Sequence, residues 1–265
     1  LELKNPIIVG ASNLVADIEM LKKLEAAGAS AIVYKSLFEE QIQLENLEMH
    51  ELQNEYEERY GESTSMFQSD LYEASPNEFL MNFKEAKAAL NIPLIASLNA
   101  VNDDTWYEWA KKLEEAGADA LELNFYNNPR EFEMEGRSII QEELDVIEGV
   151  KKAVSIPVSV KLSPFYTNPL YVINEMDKRG TDGFVLFNKL FQPDINIETE
   201  EMTFPYNLST EHDSRLPLRY AGLLYDNIKG DICANRGVFT GGDVVKMILA
   251  GADVVEVVST VYKHG

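Results

Sequence analysis

Four times along this chain a helix-like stretch ends in Gly followed by a small residue, and a strand-like apolar run begins directly after. The copies read Ala26-Ala27-Gly28-Ala29-Ser30-Ala31-Ile32, Glu115-Ala116-Gly117-Ala118-Asp119-Ala120-Leu121, Lys178-Arg179-Gly180-Thr181-Asp182-Gly183-Phe184 and Leu249-Ala250-Gly251-Ala252-Asp253-Val254-Val255. Glycine enters the left-handed region that stops a helix, and a short residue after it lets the chain turn into a strand. A joint of this kind, repeated, predicts a parallel α/β protein. In such folds chemistry sits past the C-terminal ends of the strands.

Eight short apolar runs read as strands: Pro6–Ser12, Ala31–Ser36, Pro93–Asn99, Ala120–Tyr126, Val158–Leu162, Gly183–Asn188, Ile232–Ala234 and Val254–Ser259. Amphipathic stretches between them read as helices over Asp17–Ala27, Asn77–Leu90, Asp104–Ala116, Glu142–Val154, Leu170–Arg179 and Gly242–Ala250. Eight strands alternating with helices in 265 residues predict a single-domain α/β protein, a closed (β/α)8 TIM barrel over residues 1–265. A doubly wound open sheet is the alternative, weakened because no glycine-rich dinucleotide fingerprint follows the first strand. Two segments interrupt the rhythm, Phe38–Phe67 after the second strand and Phe191–Ser214 after the sixth. Both are expected to be long excursions over the active face, the second a lid. The chain starts at Leu1 and stops at Gly265 soon after the eighth strand, so the natural N-terminus and the last helix are expected to be missing. Trp106 and Trp109 are expected to pack in the core.

Composition narrows the chemistry. The net charge of −22 argues against nucleic acid or an anionic membrane as partner. The single cysteine, Cys233, leaves no disulfide framework and fits a reducing cytoplasm; it is expected to be a small buried residue. No apolar run approaches the ~20 residues of a membrane span. The three histidines, His50, His212 and His264, are scattered, so no metal site is expected.

The strand ends carry Ala11-Ser12-Asn13, Lys35-Ser36, Asn99, Asn124, Lys161 with Ser163, Asn188-Lys189, Asn235-Arg236-Gly237 and Ser259-Thr260. This set of lysines, amides and hydroxyls, without histidine or paired carboxylates, suits a planar, polar, anionic heterocycle better than hydrolysis. An amide offers a donor and an acceptor edge, and lysine supplies a point charge. A lysine inside an apolar strand is costly to bury unpaired, which marks Lys161 and Lys35 as functional or ion-paired.

The order of these motifs resembles the dihydroorotate dehydrogenases, FMN-dependent barrels of pyrimidine synthesis, and their soluble class above all. Asn5-Pro6-Ile7-Ile8-Val9-Gly10-Ala11-Ser12 resembles that family's first strand and Val33-Tyr34-Lys35-Ser36 its second. Ile95-Ala96-Ser97-Leu98-Asn99-Ala100 through Leu121-Glu122-Leu123-Asn124 is similar to the third and fourth, and Val158-Ser159-Val160-Lys161-Leu162-Ser163-Pro164 to the fifth. Gly237-Val238-Phe239-Thr240-Gly241-Gly242-Asp243 resembles the end of the barrel. The resemblance implies FMN as cofactor, with Ala11, Ser12, Lys35, Ser36 and Asn99 against the flavin and Lys161 near the ring nitrogen that gains charge on reduction. Asn124 and Asn188 would contact flavin, substrate or both; Lys35 and Asn128 would also serve the substrate. Arg236, Gly237, Val258 and Ser259 would hold the phosphate. It also implies a small anionic heterocyclic substrate, a homodimer and an NAD-linked electron-transfer partner encoded elsewhere.

The departures fall on the substrate side. The family carries Asn-x-x-Cys-Pro-Asn, or Ser for Cys, after the fourth strand, and that thiol or hydroxyl is its base. Here the stretch reads Asn124-Phe125-Tyr126-Asn127-Asn128-Pro129. Asn127 occupies the base position, and an amide cannot take the proton. Tyr126 is the nearby substitute, with an unperturbed pKa near ~10. The family's asparagine-rich substrate loop is not found; Ser63-Thr64-Ser65-Met66-Phe67-Gln68 lies in that region. Arg236 replaces the first of two phosphate-loop glycines, and Val258-Ser259 replaces a Gly-Thr pair. Three alternatives to a dihydroorotate dehydrogenase follow. One is an FMN barrel without its base that acts on another substrate or passes electrons to a partner. Another is a flavin-free phosphate-binding lyase with Lys161 as Schiff-base amine. The third is a non-catalytic acidic scaffold.

Overall fold

The computed structural model describes residues 1–38, 76–99, 103–125, 132–189, 194–203 and 208–264. Eleven strands are assigned among them: β1 Ile7–Val9, β2 Ala31–Val33, β3 Leu37–Phe38, β4 Leu94–Asn99, β5 Ala120–Asn124, β6 Val158–Leu162, β7 Gly183–Leu186, β8 Asp194–Asn196, β9 Glu201–Thr203, β10 Asp231–Asn235 and β11 Val254–Val257. Leaving out β3, β8 and β9, the other eight pair in parallel, each with the next, and β1 pairs with both β2 and β11, so the sheet closes on itself. The short β3 extends the edge of β4, while β8 and β9 form a separate antiparallel hairpin. The helices are α1 Ile18–Ala26, α2 Pro76–Ala89, α3 Asp103–Glu115, α4 Gly136–Ala153, α5 Pro169–Lys178, α6 Arg215–Leu224, α7 Gly241–Leu249 and α8 Ser259–His264. The fold is the predicted (β/α)8 barrel.

Strand alternation divides the apolar residues into two layers. Ile8, Ala31, Val33, Ile95 and Ala120 form one cluster, inside the barrel. Val9, Ile32, Leu94, Ala96 and Leu121 point the other way and join a second cluster with Leu21, Phe83, Leu113, Ile147, Ile173 and Met247 of the helices. Trp106 and Trp109 are buried in that outer layer, as expected, with Trp106 edge-on to Phe125.

The four joints behave alike. Gly28, Gly117, Gly180 and Gly251 take φ of 107°, 97°, 85° and 110°, values open to glycine and strained for residues with a Cβ. The aspartate two residues on then clamps the preceding barrel strand. Asp119, Asp182 and Asp253 each accept the amide N–H of that strand's first or second residue, Leu94, Val158 and Ile232, at 2.7, 2.8 and 2.8 Å. Each donates its own backbone N–H to the carbonyl of the same residue. In the first copy Ser30 takes this place, with both its N–H and its hydroxyl on Ile7 O.

Two features differ from the sequence reading. Helix α6 is unexpected. It follows a 3₁₀ turn, Glu211–Ser214, closed by a capping box between Thr210 and Asp213, and carries Pro217 in its first turn, where the missing N–H costs nothing. Ser259 opens helix α8 instead of ending a strand. Of the two expected excursions, Phe38–Phe67 lies outside the described residues except for Phe38, and Phe191–Ser214 contributes the β8–β9 hairpin and the 3₁₀ turn.

Candidate active site at the C-terminal strand ends

Three adjacent strands place their end residues in one hydrogen-bonded group. Asn188, just past β7, donates its side-chain amide to Asn124 Oδ1 at 2.6 Å, and more loosely to the Lys161 and Phe125 carbonyls at 3.3 and 3.4 Å. Its own N–H bonds Leu162 O, and the Phe125 N–H bonds Lys161 O. Asn124 and Asn188 are thus held as a pair across the β5, β6 and β7 ends, as the sequence reading placed them. On the neighbouring β2–β4 side, Ser36 and Ser97, both buried, share a hydrogen bond of 2.7 Å.

Lys161 does not stand alone. Its Nζ lies 2.5 Å from Glu256 Oε1 of β11 and 3.7 Å from Glu122 Oε1 of β5, with both carboxyls buried. Burial pushes the Glu122 carboxyl up to about 8, with Lys161 pulling down and Glu256 pushing up. Burial also acts to lower the Lys161 pKa, but the two glutamates outweigh it and hold the ammonium above its ordinary value. Cys233 of β10 is buried as expected, and burial beside these carboxylates pushes its thiol up as well. The strand ends themselves hold no paired carboxylates, as read; the two carboxyls meet deeper in the barrel. Glu122 and Glu256 sit in mid-strand, within Leu121-Glu122-Leu123 and Val255-Glu256-Val257, and were read as parts of apolar runs. The cost that singled out Lys161 applied equally to them.

A second charged group closes the side nearest α6. Asp213 accepts from Lys189 Nζ at 3.1 Å and from Arg236 Nη2 at 3.2 Å. Although burial pushes its carboxyl up, the Thr210 N–H and the two cations prevail and hold it below the usual range. Arg236 also reaches Asn188 O at 3.4 Å, and at φ 70° it stands in the left-handed region, followed by Gly237 at 65°. The Ser259 hydroxyl accepts the Ser209 N–H at 2.8 Å, and Lys263 Nζ bonds Ser209 O. The segment after the hairpin is thereby fastened to the ends of β7, β10 and β11.

These groups surround a cavity of about 230 Å³ at the strand ends. Ala11, Lys161, Asn188 and Arg236 line it, as do Gly237, Val258 and Ser259, so seven of the residues expected to hold a cofactor meet at one place. Two buried polar atoms beside it have no hydrogen-bond partner, the Arg236 Nε donor and the Asn235 Oδ1 acceptor.

The sequence model of one protein family, described as dihydroorotate dehydrogenase, matches residues 1–265. The chain belongs to the dihydroorotate dehydrogenase family. It is an oxidoreductase of the type that acts on CH–CH bonds. Two relatives are named dihydroorotate dehydrogenase B (NAD(+)), catalytic subunit: one from Methanocaldococcus jannaschii, 27% identical over all of this chain and 86% of its own length, and one from Thermoplasma volcanium, 28% identical with the same coverage. A third, dihydroorotate dehydrogenase A (fumarate) of Lactobacillus helveticus, is 30% identical over 63% of this chain and 56% of its own.

Against the pattern expected of a dihydroorotate dehydrogenase, Ser12, Lys35, Ser36, Asn99 and Asn124 lie at the same end of the barrel without lining the cavity. Tyr126, Asn127 and Asn128, the expected base region, lie outside the described residues, as does Ser63–Gln68. Glu122, Glu256 and Asp213 were missed from the sequence. Asp213 had one available signal, the Thr210-Glu211-His212-Asp213 spacing of a capping box. No helix among the described residues is long and apolar enough to cross a membrane.

Proposed function

We propose that this protein is an FMN-dependent dehydrogenase of the cytoplasm that oxidises dihydroorotate to orotate in pyrimidine biosynthesis, with residues 1–265 as one FMN-binding barrel. The observation that carries this reading is a cavity at the strand ends lined by Lys161, Arg236, Gly237, Ser259 and Asn188, with Asn188 fixed from behind by its hydrogen bond to Asn124. The donor set fits the group. A flavin ring presents carbonyl oxygens and an imide N–H, and its phosphate is an anion. Facing it are a partnerless N–H on Arg236, a partnerless acceptor on Asn235 and the cations Lys161, Lys189 and Arg236.

Bound FMN would supply a two-electron acceptor. The chain's own part is binding and orientation. Asn124 and Asn188 would present amide edges to substrate or ring, Arg236, Gly237, Val258 and Ser259 would hold the phosphate, and Ala11, Ser12, Lys35, Ser36 and Asn99 would lie against the flavin. Lys35 and Asn128 would face the substrate as well. The proton taken from the substrate has no assigned acceptor in Asn127, whose amide is not a base; Tyr126 is the remaining candidate in that stretch. We further propose a homodimer and an electron-transfer partner subunit, following the catalytic-subunit relatives.

An anaerobic visible spectrum of the purified protein, before and after dihydroorotate, tests the reading. Bleaching of a flavin band supports it. A flavin band that persists favours the second reading, an FMN barrel that acts on another substrate or passes electrons to a partner, which Asn127 itself motivates. A protein that takes up no flavin, even when FMN is added, rejects both.

A further inference from the structure

The lysine expected to stabilise charge on a bound flavin is itself consumed by charge. Lys161 reaches from β6 to the barrel axis, where its Nζ meets Glu256 Oε1 at 2.5 Å and Glu122 Oε1 at 3.7 Å. All three side chains are withdrawn from solvent, with 11%, 1% and 2% of their surfaces exposed. The strand opposite is shaped for this arrangement. A Cβ on Gly10 would fall 2.3 Å from Glu256 Oε1 and 2.7 Å from its carboxyl carbon, so the glycine just past β1 leaves open the space the Glu256 carboxylate fills. Both Lys161 and Glu256 line the 230 Å³ cavity, so the pair forms its floor.

We propose that Glu256 is a positioning residue: it draws the Lys161 ammonium down into the barrel axis and neutralises it, so that the flavin above meets a floor without net positive charge. The inference rests on the reading of the cavity as an FMN site. Its consequence is electrochemical. A cation beside a flavin favours the reduced, anionic form, and an ion pair in the same place favours it less. This chain would therefore hold its flavin at a lower midpoint potential than an unpaired lysine would allow. Glu122 completes the group: burial raises its carboxyl above the ordinary carboxylate range, which favours the protonated, uncharged form beside the pair.

The test compares the wild type with Glu256→Gln, both reconstituted with FMN. Flavin content is read from the absorbance, the midpoint potential is read by anaerobic dye titration, and Lys161 acetylation is read by mass spectrometry on the flavin-free proteins. We expect equal flavin content, a more positive potential in Glu256→Gln, faster acetylation of Lys161 in that variant, and a return toward the wild-type potential in Glu256→Asp. A purely structural ion pair would change stability without moving the potential, and an unmoved potential in a flavin-loaded variant overturns the proposal. If the wild type takes up no FMN, the functional reading fails separately. The acetylation rate then decides alone whether Glu256 holds the lysine, an unchanged rate being the overturning result. Should Glu256→Gln not fold, Gly10→Ala replaces it. That variant displaces the Glu256 carboxylate while leaving every charge in the chain; because its Cβ also meets Val258 Cγ2 at 2.7 Å, flavin content is not compared, and the same directions are expected for potential and acetylation.

Discussion

The Asn188 side chain donates to Asn124 Oδ1 at 2.6 Å while the carbonyls of Lys161 and Phe125 stand 3.3 and 3.4 Å from the same nitrogen. One amide therefore faces three acceptors from two neighbouring strand ends, and its value lies in being a donor. Replacing Asn188 by Ala should cost about 1–3 kcal/mol, the penalty for leaving buried acceptors unsatisfied. Asn188→Asp should cost more despite its near-identical shape, because a carboxylate would face those oxygens without a proton to give. Urea denaturation of the two variants ranks them; equal costs would show that shape, not donation, is what the position supplies.

Lys161→Met should destabilise by about 3–5 kcal/mol, because it strands the Glu256 carboxylate in the barrel without its cation. Adding Glu256→Gln to that variant should recover part of the loss, since the second change removes the orphaned charge. Two costs that simply add in this cycle would mean the residues are not coupled. The measurement needs no cofactor.

Gly237 takes φ 65°, and a Cβ there would lie 2.5 Å from Ser214 N and 2.7 Å from Thr210 O. Both are backbone atoms of the turn that leads into α6, and neither can swing aside as a side chain would. Gly237→Ala should cost more than the ~1–2 kcal/mol of left-handed strain alone and should weaken FMN uptake by moving the 208–214 segment. Thermal melts and flavin titration check the two effects independently.

Glu143 of α4 accepts the Tyr166 hydroxyl at 2.7 Å; burial pushes its carboxyl up to about 7, the Tyr166 hydrogen bond pulls it down, and Glu142 pushes it up again. Because its folded pKa exceeds the ordinary 4.5, the native state holds the extra proton. The contribution of Glu143 to stability should then be full below about pH 4.5, decline up to about pH 7 and stay low above. The span is at most about 3 kcal/mol. Glu143→Gln keeps the acceptor for Tyr166 and should remove this decline. Stability curves of the two proteins across that range should converge toward acid and separate toward neutral pH; parallel curves would contradict it.

The barrel was legible because its joints are local. The glycines at 28, 117, 180 and 251 announce themselves by a two-residue context, and their φ angles follow from it. Helix α6 was not legible, because Pro217 reads as a breaker until the 3₁₀ turn before it shows that the proline falls in a first turn. At the site, Lys161, Asn124 and Asn188 stood out as polar residues closing apolar strands. Glu122 and Glu256 carried the same local signal, but β5 and β11 are far apart in the chain, and the lysine that gives both glutamates their meaning stands on β6, beside β5 and across the barrel from β11. Sequence patterns report a residue's own strand, not the strand it will face.

Asp119, Asp182 and Asp253 fix the stagger of neighbouring strands at the end of the barrel away from the cavity, each gripping one residue's N–H and C=O together. The architecture is thus anchored from below, one joint at a time. The upper rim has no part in that anchoring, so a departure such as Arg236 can stand there while the frame beneath it keeps its alignment.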